Sequence, residues 1–260
     1  MSSYKETFVT TSAGRVRIWE KGRGKRIGFL AGVGGLPKWT PFLDRLAASH
    51  RVIAPSLPGF PGGTNSEPLD SPLDWVLAAG DVFDAAGLEG ADLIGASIGG
   101  AMALEIAAIW PGAVRKLALI SPFGMFDEAA PVADIFAQPP GKMADVLSAK
   151  PAALAEYYRA PAEADPGEWE VQTLRANVAA AAIIWPLGDT RIAKRLSRIE
   201  ADTLLIWGDG DKVIPASYAK RFAAGISGKT KTQTIRGAGH MAEFDQPDAV
   251  AKAVTAFFAS

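Results

Sequence analysis

Gly95-Ala96-Ser97-Ile98-Gly99 sets a serine at the apex of a turn between an apolar run, Ala91–Ala96, and a helix-period segment reaching Trp110. The spacing fits the G-x-S-x-G nucleophile elbow, in which a strained turn lifts a hydroxyl above a sheet. Its small residues let strand and helix approach closely. A serine hydroxyl attacks poorly unless a base takes its proton, and the chain has two histidines. His50, in Ala47-Ala48-Ser49-His50-Arg51, reads as a surface residue at a helix end. His240 lies in Gly237-Ala238-Gly239-His240-Met241, a glycine-rich loop after the apolar stretch Thr230–Ile235, and is the expected general base. A base needs an acid to fix its tautomer. Asp209 and Asp211, in Trp207-Gly208-Asp209-Gly210-Asp211, compete for that role, and each also suits a plain turn.

These residues must be positioned by neighbouring elements. Apolar runs alternate with helix-period segments, which predicts strand–helix alternation and a largely parallel sheet. Phe8–Thr11 and Val16–Trp19 read as an opening hairpin, followed by strands at Ile27–Leu30, Val52–Ala54, Ala91–Ala96, Lys116–Ile120, Thr203–Trp207 and Thr230–Ile235. Helices are expected at Trp39–Ser49, Leu73–Ala86, Ala101–Trp110 and Pro247–Phe258. In a parallel α/β sheet the loops after the strands' C-terminal ends collect along one edge, where ligands bind. Ser97, the aspartate pair and His240 all follow strands and so share that edge. The stretch between the Ile120 and Thr203 strands is too long for one crossover helix. It is Ala-rich and broken by Pro122, Pro131, Pro139, Pro140, Pro151, Pro161 and Pro166, and it reads as a helical cap over the sheet. The expected organisation is core 1–121, cap 122–198 and core 199–260.

With these motifs in order, the chain resembles the serine-nucleophile branch of the α/β-hydrolase fold over nearly its whole length. Trp207–Pro215 is similar to the family's "G-x-x-D-x-hydrophobic-x-P" acid loop, and the match puts the acid on Asp211. Gly239-His240 with Glu243 and Gln246-Pro247 resembles the histidine loop. Arg51–Pro55 with Leu57-Pro58-Gly59-Phe60 is similar to the family's "V-I-A-P-D-L-P-G-F-G" stretch. The resemblance implies a mostly parallel eight-stranded sheet flanked by helices, with the cap after the sixth strand. Ser97, Asp211 and His240 form the implied triad, in the Ser…Asp…His order of that fold. The amide after the nucleophile, that of Ile98, lies at a helix N-terminus suited to an oxyanion. The second donor, by likeness to the family's "H-G-x-G" segment, is Val33 in Ala31-Gly32-Val33-Gly34. Ala31, Ser56 and Ala96 depart from the family's usual His, Asp and His or Gln. All three remove polar groups that brace the site and leave the reacting ones.

Composition narrows the remaining choices. A chain of 260 residues with 48% hydrophobic content suits one large domain with an insertion. A formal net charge of −1 gives no footprint for nucleic acid or anionic lipid. Without a cysteine there is no disulfide and no thiol nucleophile. No long uncharged apolar run predicts a membrane span, and the opening Met1–Glu6 lacks a secretory pattern, which points to the cytoplasm. Phe123, Phe126, Trp185 and Met241 are candidates to line an apolar pocket, as are Tyr157 and Tyr158, though cap packing suits each as well. Trp39 and Trp110 read as helix residues in the core. Arg159, Arg175 and Arg191 suit a solvated face better than a substrate anion. The expected activity needs no metal or other cofactor. It is hydrolysis of a small or medium, fairly apolar carbonyl substrate, foremost a carboxylic ester, by a monomer or homodimer. One rival is carbon–carbon hydrolysis of a diketone-like aromatic breakdown product, which requires polar groups near the nucleophile to hold an acidic dienol. Another is a ligand receptor on the same fold.

Overall fold

The chain opens as an antiparallel hairpin, β1 (Lys5–Thr11) and β2 (Gly14–Lys21), reversing at Ala13-Gly14. Six strands follow: β3 (Arg26–Leu30), β4 (Arg51–Pro55), β5 (Ala91–Ala96), β6 (Val114–Ile120), β7 (Asp202–Gly208) and β8 (Thr230–Ile235). They form one eight-stranded sheet in the order β1-β2-β4-β3-β5-β6-β7-β8, antiparallel through β1, β2 and β4 and parallel thereafter. β5, at the centre, is buried at every position because helices cover both of its faces. β8 is an edge strand whose Thr, Lys and Gln side chains keep it mostly solvated. The computed structural model describes residues 4–64, 66–139, 141–186 and 188–260. Outside the described residues lie Met1–Ser3, with the start of the stretch read for a leader, and Asn65, Pro140 and Leu187.

Alternating side chains send the core to two faces. Leu93, Leu117, Leu119 and Leu205 join one apolar cluster, and Ile94, Ala118, Ile120, Leu204 and Ile206 join the other. The second cluster is closed by α1 (Pro41–Ala47) and the C-terminal helix α9 (Pro247–Ala259). The first is closed by α2 (Pro72–Ala85), α3 (Ser97–Ile109) and α7 (Tyr218–Gly225). α1 is shorter than its sequence pattern predicts. Thr40 caps it by accepting from the Leu43 amide at 3.4 Å, and Pro41 fits the first helical position. Trp39 therefore lies before the helix, donating from Nε1 to Asp44 at 2.8 Å. Trp110 likewise ends α3 as its C-cap instead of continuing it. α7 was not foreseen, because only Tyr218, Ala219 and Phe222 mark its buried face.

After β6 the chain leaves the sheet for the cap, which holds α4 (Met143–Leu147), α5 (Pro151–Tyr158), α6 (Pro166–Ile184) and two 3₁₀ turns, Ile192–Lys194 and Leu196–Arg198. Where it returns, Arg195 grips Glu105 of α3 with two hydrogen bonds, Nε to Oε2 at 2.8 Å and a terminal nitrogen to Oε1 at 2.5 Å. Glu105 is 3% exposed, and Arg195 is the cation paired with it. Removing one member of a buried pair is costly because it strands the other. Arg195→Ala is expected to lose about 3 kcal/mol of stability, read as a lower urea midpoint. Arg195→Lys should recover only part of it, because a single ammonium cannot reproduce the two-point contact.

Candidate active site

The register of the parallel strands sets the C-terminal ends side by side. Gly95 pairs with Leu30, Ala96 with Ile120, Ile120 with Ile206 and Gly208 with Ile235. The segments leaving those ends therefore meet at one edge. Ser97 sits at φ 52° between β5 and α3, in the left-handed region that a non-glycine residue occupies at a cost of order 1–3 kcal/mol. Its flanking glycines are sterically required. A Cβ on Gly99 would lie 2.2 Å from the Leu30 carbonyl oxygen and 2.4 Å from that of Ala31, and one on Gly95 would lie 2.7 Å from the Gly100 Cα. The Phe123 amide holds the serine's own carbonyl at 3.2 Å.

The three expected reacting groups form a continuous chain of contacts. His240 Nε2 is 2.8 Å from Ser97 Oγ, and its Nδ1 is 3.1 Å from Asp211 Oδ2. With Nδ1 protonated toward the carboxylate, Nε2 is free to accept from the serine; the network assigns that tautomer. Ser97 is 2% exposed and His240 1%. Burial works against the charge on Asp211, but the facing His240, their hydrogen bond and the Ile214 amide outweigh it and hold the carboxyl below its ordinary value. The amides of Val213 and Ile214 both donate to Asp211 Oδ1, at 2.8 and 3.0 Å. Asp209 instead accepts from the Gly237 amide at 2.8 Å, a contact that ties its loop to the one after β8. His50 lies elsewhere, with Nδ1 2.8 Å from the Ser49 hydroxyl.

The two amides expected to receive an oxyanion lie on segments next to Ser97. Ile98 is in the first turn of α3, where amides have no intrahelical acceptor. Val33 follows β3, in a loop pressed against the elbow: a Cβ on Gly32 would lie 3.0 Å from Ser97 Cβ. The Val33 amide has no acceptor among the described residues. Of the departures from the family pattern, Ser56 still pins its loop, donating to the Pro61 carbonyl at 2.7 Å. Ala96 is a buried N-cap. Ala31 borders a small cavity beside the Val33 loop.

The cap is fastened to this edge by side chains of α5. Tyr158 donates to the Val33 carbonyl and Tyr157 to that of Lys38, both at 2.8 Å. Burial pushes both phenols up, so they remain donors at any working pH. Tyr158→Phe is expected to lower the rate of Ser97 acylation roughly fivefold, the equivalent of one hydrogen bond of about 1 kcal/mol, by loosening the Val33 loop. A stopped-flow burst with unchanged amplitude and a smaller rate would show it.

Asp245, in the short helix α8 (Ala242–Asp245), ties the histidine loop to the cap. Its Oδ2 accepts from the amides of Gly239 at 2.7 Å and Ala149 at 2.9 Å, while Oδ1 accepts from the Ser148 hydroxyl. Sequence reasoning missed this residue; its only signal was an acid five positions after His240. Of the candidate pocket residues, Phe123 packs edge-on against the His240 ring with centroids 5.6 Å apart, and Met241 is buried beside it. Phe126 is half-buried against the larger apolar cluster. Trp185 is 68% exposed at the end of α6 and shares with Phe123 a cavity walled also by Val132 and Ile135. Arg159, Arg175 and Arg191 are exposed. Glu243 is buried beside Met241, and burial, the largest cause, raises its carboxyl to about 7. Among the described residues no helix is long and apolar enough to cross a membrane.

The family model described as "Alpha/beta hydrolase family" matches residues 29–253, so the chain belongs to that family. A relative from Comamonas testosteroni, named 2-hydroxy-6-oxo-6-phenylhexa-2,4-dienoate hydrolase, is 29% identical over 257 residues, covering 88% of this chain and 86% of its own. Among solved structures, a serine hydrolase involved in carbazole degradation superposes with TM-score 0.77 at 22% identity over 99% of both chains. An esterase from Exiguobacterium antarcticum gives 0.74 at 18% identity, over 98% of this chain and 100% of its own. At those identities the two structures speak for the fold.

Proposed function

We propose that the protein is a serine hydrolase that cleaves a small or medium, fairly apolar carboxylic ester. The observation that carries this reading is the continuous Asp211–His240–Ser97 chain of contacts. Ser97 Oγ attacks the carbonyl carbon as its proton passes to His240 Nε2. The oxyanion takes the amides of Val33 and Ile98, donors placed where the charge develops. Collapse breaks the carbon–oxygen bond, and the alcohol leaves with the proton from His240. Water then repeats the sequence on the acyl-enzyme and restores Ser97. Throughout, Asp211 keeps Nδ1–H in place and stabilises the transient imidazolium.

The walls of two small cavities bordered by candidate pocket residues support a neutral substrate. Among the described residues, the cavity bordered by Phe123 and the cavity bordered by Met241 have no Lys or Arg in their walls, and each contains an acid, Asp134 or Glu243. The name of the Comamonas relative favours a second reading, carbon–carbon hydrolysis of a vinylogous diketone. Purified protein assayed with p-nitrophenyl acyl esters and with a 2-hydroxy-6-oxo-dienoate separates the two. The expected result is ester turnover at least a hundredfold above diketone turnover in kcat/KM. The opposite ratio overturns the ester reading. Failure of a fluorophosphonate to label Ser97 favours a receptor instead.

A further inference from the structure

Glu243 is left without a role by the reaction just described, although its place is unusual. It is 7% exposed, and its Oε2 is buried with no hydrogen-bond partner among the described residues. A buried polar atom without a partner costs about 1–3 kcal/mol, so native structures rarely keep one unless water or a ligand satisfies it. The carboxyl borders a cavity of about 20 Å³ walled by Ala31, Gly32, Tyr157, Met241 and Phe244. That is room for roughly one water, which needs about 10–15 Å³ on the same measure. Gly32 immediately precedes the oxyanion donor Val33 and packs on Ser97, while Met241 immediately follows His240. Two of the residues that wall the space are thus chain neighbours of the expected oxyanion donor and of the general base. Ala31 contributes only a methyl group where a larger side chain would fill the hole.

We infer that Glu243 is a specificity-determining residue whose carboxyl, facing this cavity, hydrogen-bonds an oxygen atom carried by the substrate close to its scissile carbonyl. The class of substrate is an ester whose acyl part bears an ether, keto or hydroxyl oxygen one or two carbons from the carbonyl. In the free enzyme a water fills that place, and the substrate oxygen displaces it. A plain alkyl group cannot replace the water's hydrogen bond and leaves the acid unpaired, the kind of mismatch that discriminates strongly between otherwise similar ligands.

The protonation of the acid supports this role. Burial raises the carboxyl to about 7, opposed by its own backbone amide and by His240, with Asp245 and Asp211 pushing the same way as burial. Tyr157 and Tyr158 face it from α5 as neutral phenols. Below that pH Glu243 is a donor able to meet an ether or keto oxygen; above it the donor is lost. The same anion repels a carboxylate-bearing acyl group.

This inference rests on the ester reading, and its test is arranged to fail separately. p-Nitrophenyl methoxyacetate and butyrate are matched in length, as are 3-methoxypropionate and valerate. The readout is the oxygenated-to-alkyl ratio of kcat/KM, compared between wild type and variants so that intrinsic reactivity cancels. At pH 6 the ratio is expected to fall at least tenfold in Glu243→Leu and less than threefold in Glu243→Gln, whose amide still donates. In wild type alone it should decline between pH 6 and 8. An equal ratio in wild type and Glu243→Leu for both pairs overturns the inference. Matched 2-methoxyethyl and butyl fluorophosphonates give the same ratio from Ser97 labelling rates. If labelling is normal but no ester is turned over, the ester reading falls, while the labelling ratio still decides for or against Glu243. Absence of both overturns both.

Discussion

Ser97→Ala and His240→Ala are each expected to lower kcat for ester hydrolysis by roughly 10⁴ to 10⁶ with KM nearly unchanged, and the double variant should be no worse than either alone. The reason is geometric. Ser97 Oγ and His240 Nε2 are 2.8 Å apart, so attack and proton removal are one event and losing either member loses both. Asp211→Asn should cost about 10⁴, because its amide favours the wrong imidazole tautomer while the Val213 and Ile214 amides still hold the side chain. Active-site titration with a fluorophosphonate checks the assignment independently of turnover. Labelling should vanish in Ser97→Ala and slow by orders of magnitude in His240→Ala. Additive losses in the double variant would mean that the two residues act apart. Full activity in His240→Ala would remove it as the base.

The triad was legible because its information is local and ordered. Ser97 is marked by the small residues around it, and Gly99 shows why: no Cβ fits between the elbow and the carbonyls of Leu30 and Ala31. His240 had one competitor, and the strand before it fixed its edge. Asp211 and Asp209, by contrast, were equivalent in residue type and setting until the family likeness chose between them. Their partners in the fold differ, the His240 ring for one and the Gly237 amide for the other. Nothing local distinguishes Asp245, because its meaning comes from Ser148 and Ala149, which reach it only after the cap has folded back over the sheet. Tyr157 and Tyr158 are similar: their hydroxyls matter because α5 crosses the loops holding Lys38 and Val33. α1 was over-extended because apolar periodicity continues past its ends, while Thr40 and Pro41 set its true start. Sequence periodicity reports burial well and long-range contact poorly.

A second large effect is expected in the pH dependence of stability, and it is carried by Glu243. Burial raises its carboxyl from about 4.5 to about 7 in the folded protein. Between those values the native state keeps a proton that the unfolded chain has released. Stability therefore falls as pH rises through that window, and it levels off above the folded value. A shift of this size is worth on the order of 3 kcal/mol. Glu243→Gln has no such proton to lose. Its stability relative to wild type should climb by about that amount between pH 5 and pH 8, read from urea midpoints at fixed ionic strength. The gain is a slope and not a constant offset, which separates it from any change in packing caused by the amide. Parallel curves for the two proteins would mean that Glu243 is ionised in the folded state and that its buried oxygen has found a cationic or donor partner. A residue that destabilises its own fold at neutral pH, three positions after the general base and with one oxygen unpartnered among the described residues, is under a constraint that packing does not supply. Substitution by Gln should relieve the cost and, with it, whatever pH sensitivity the acid gives to substrate choice.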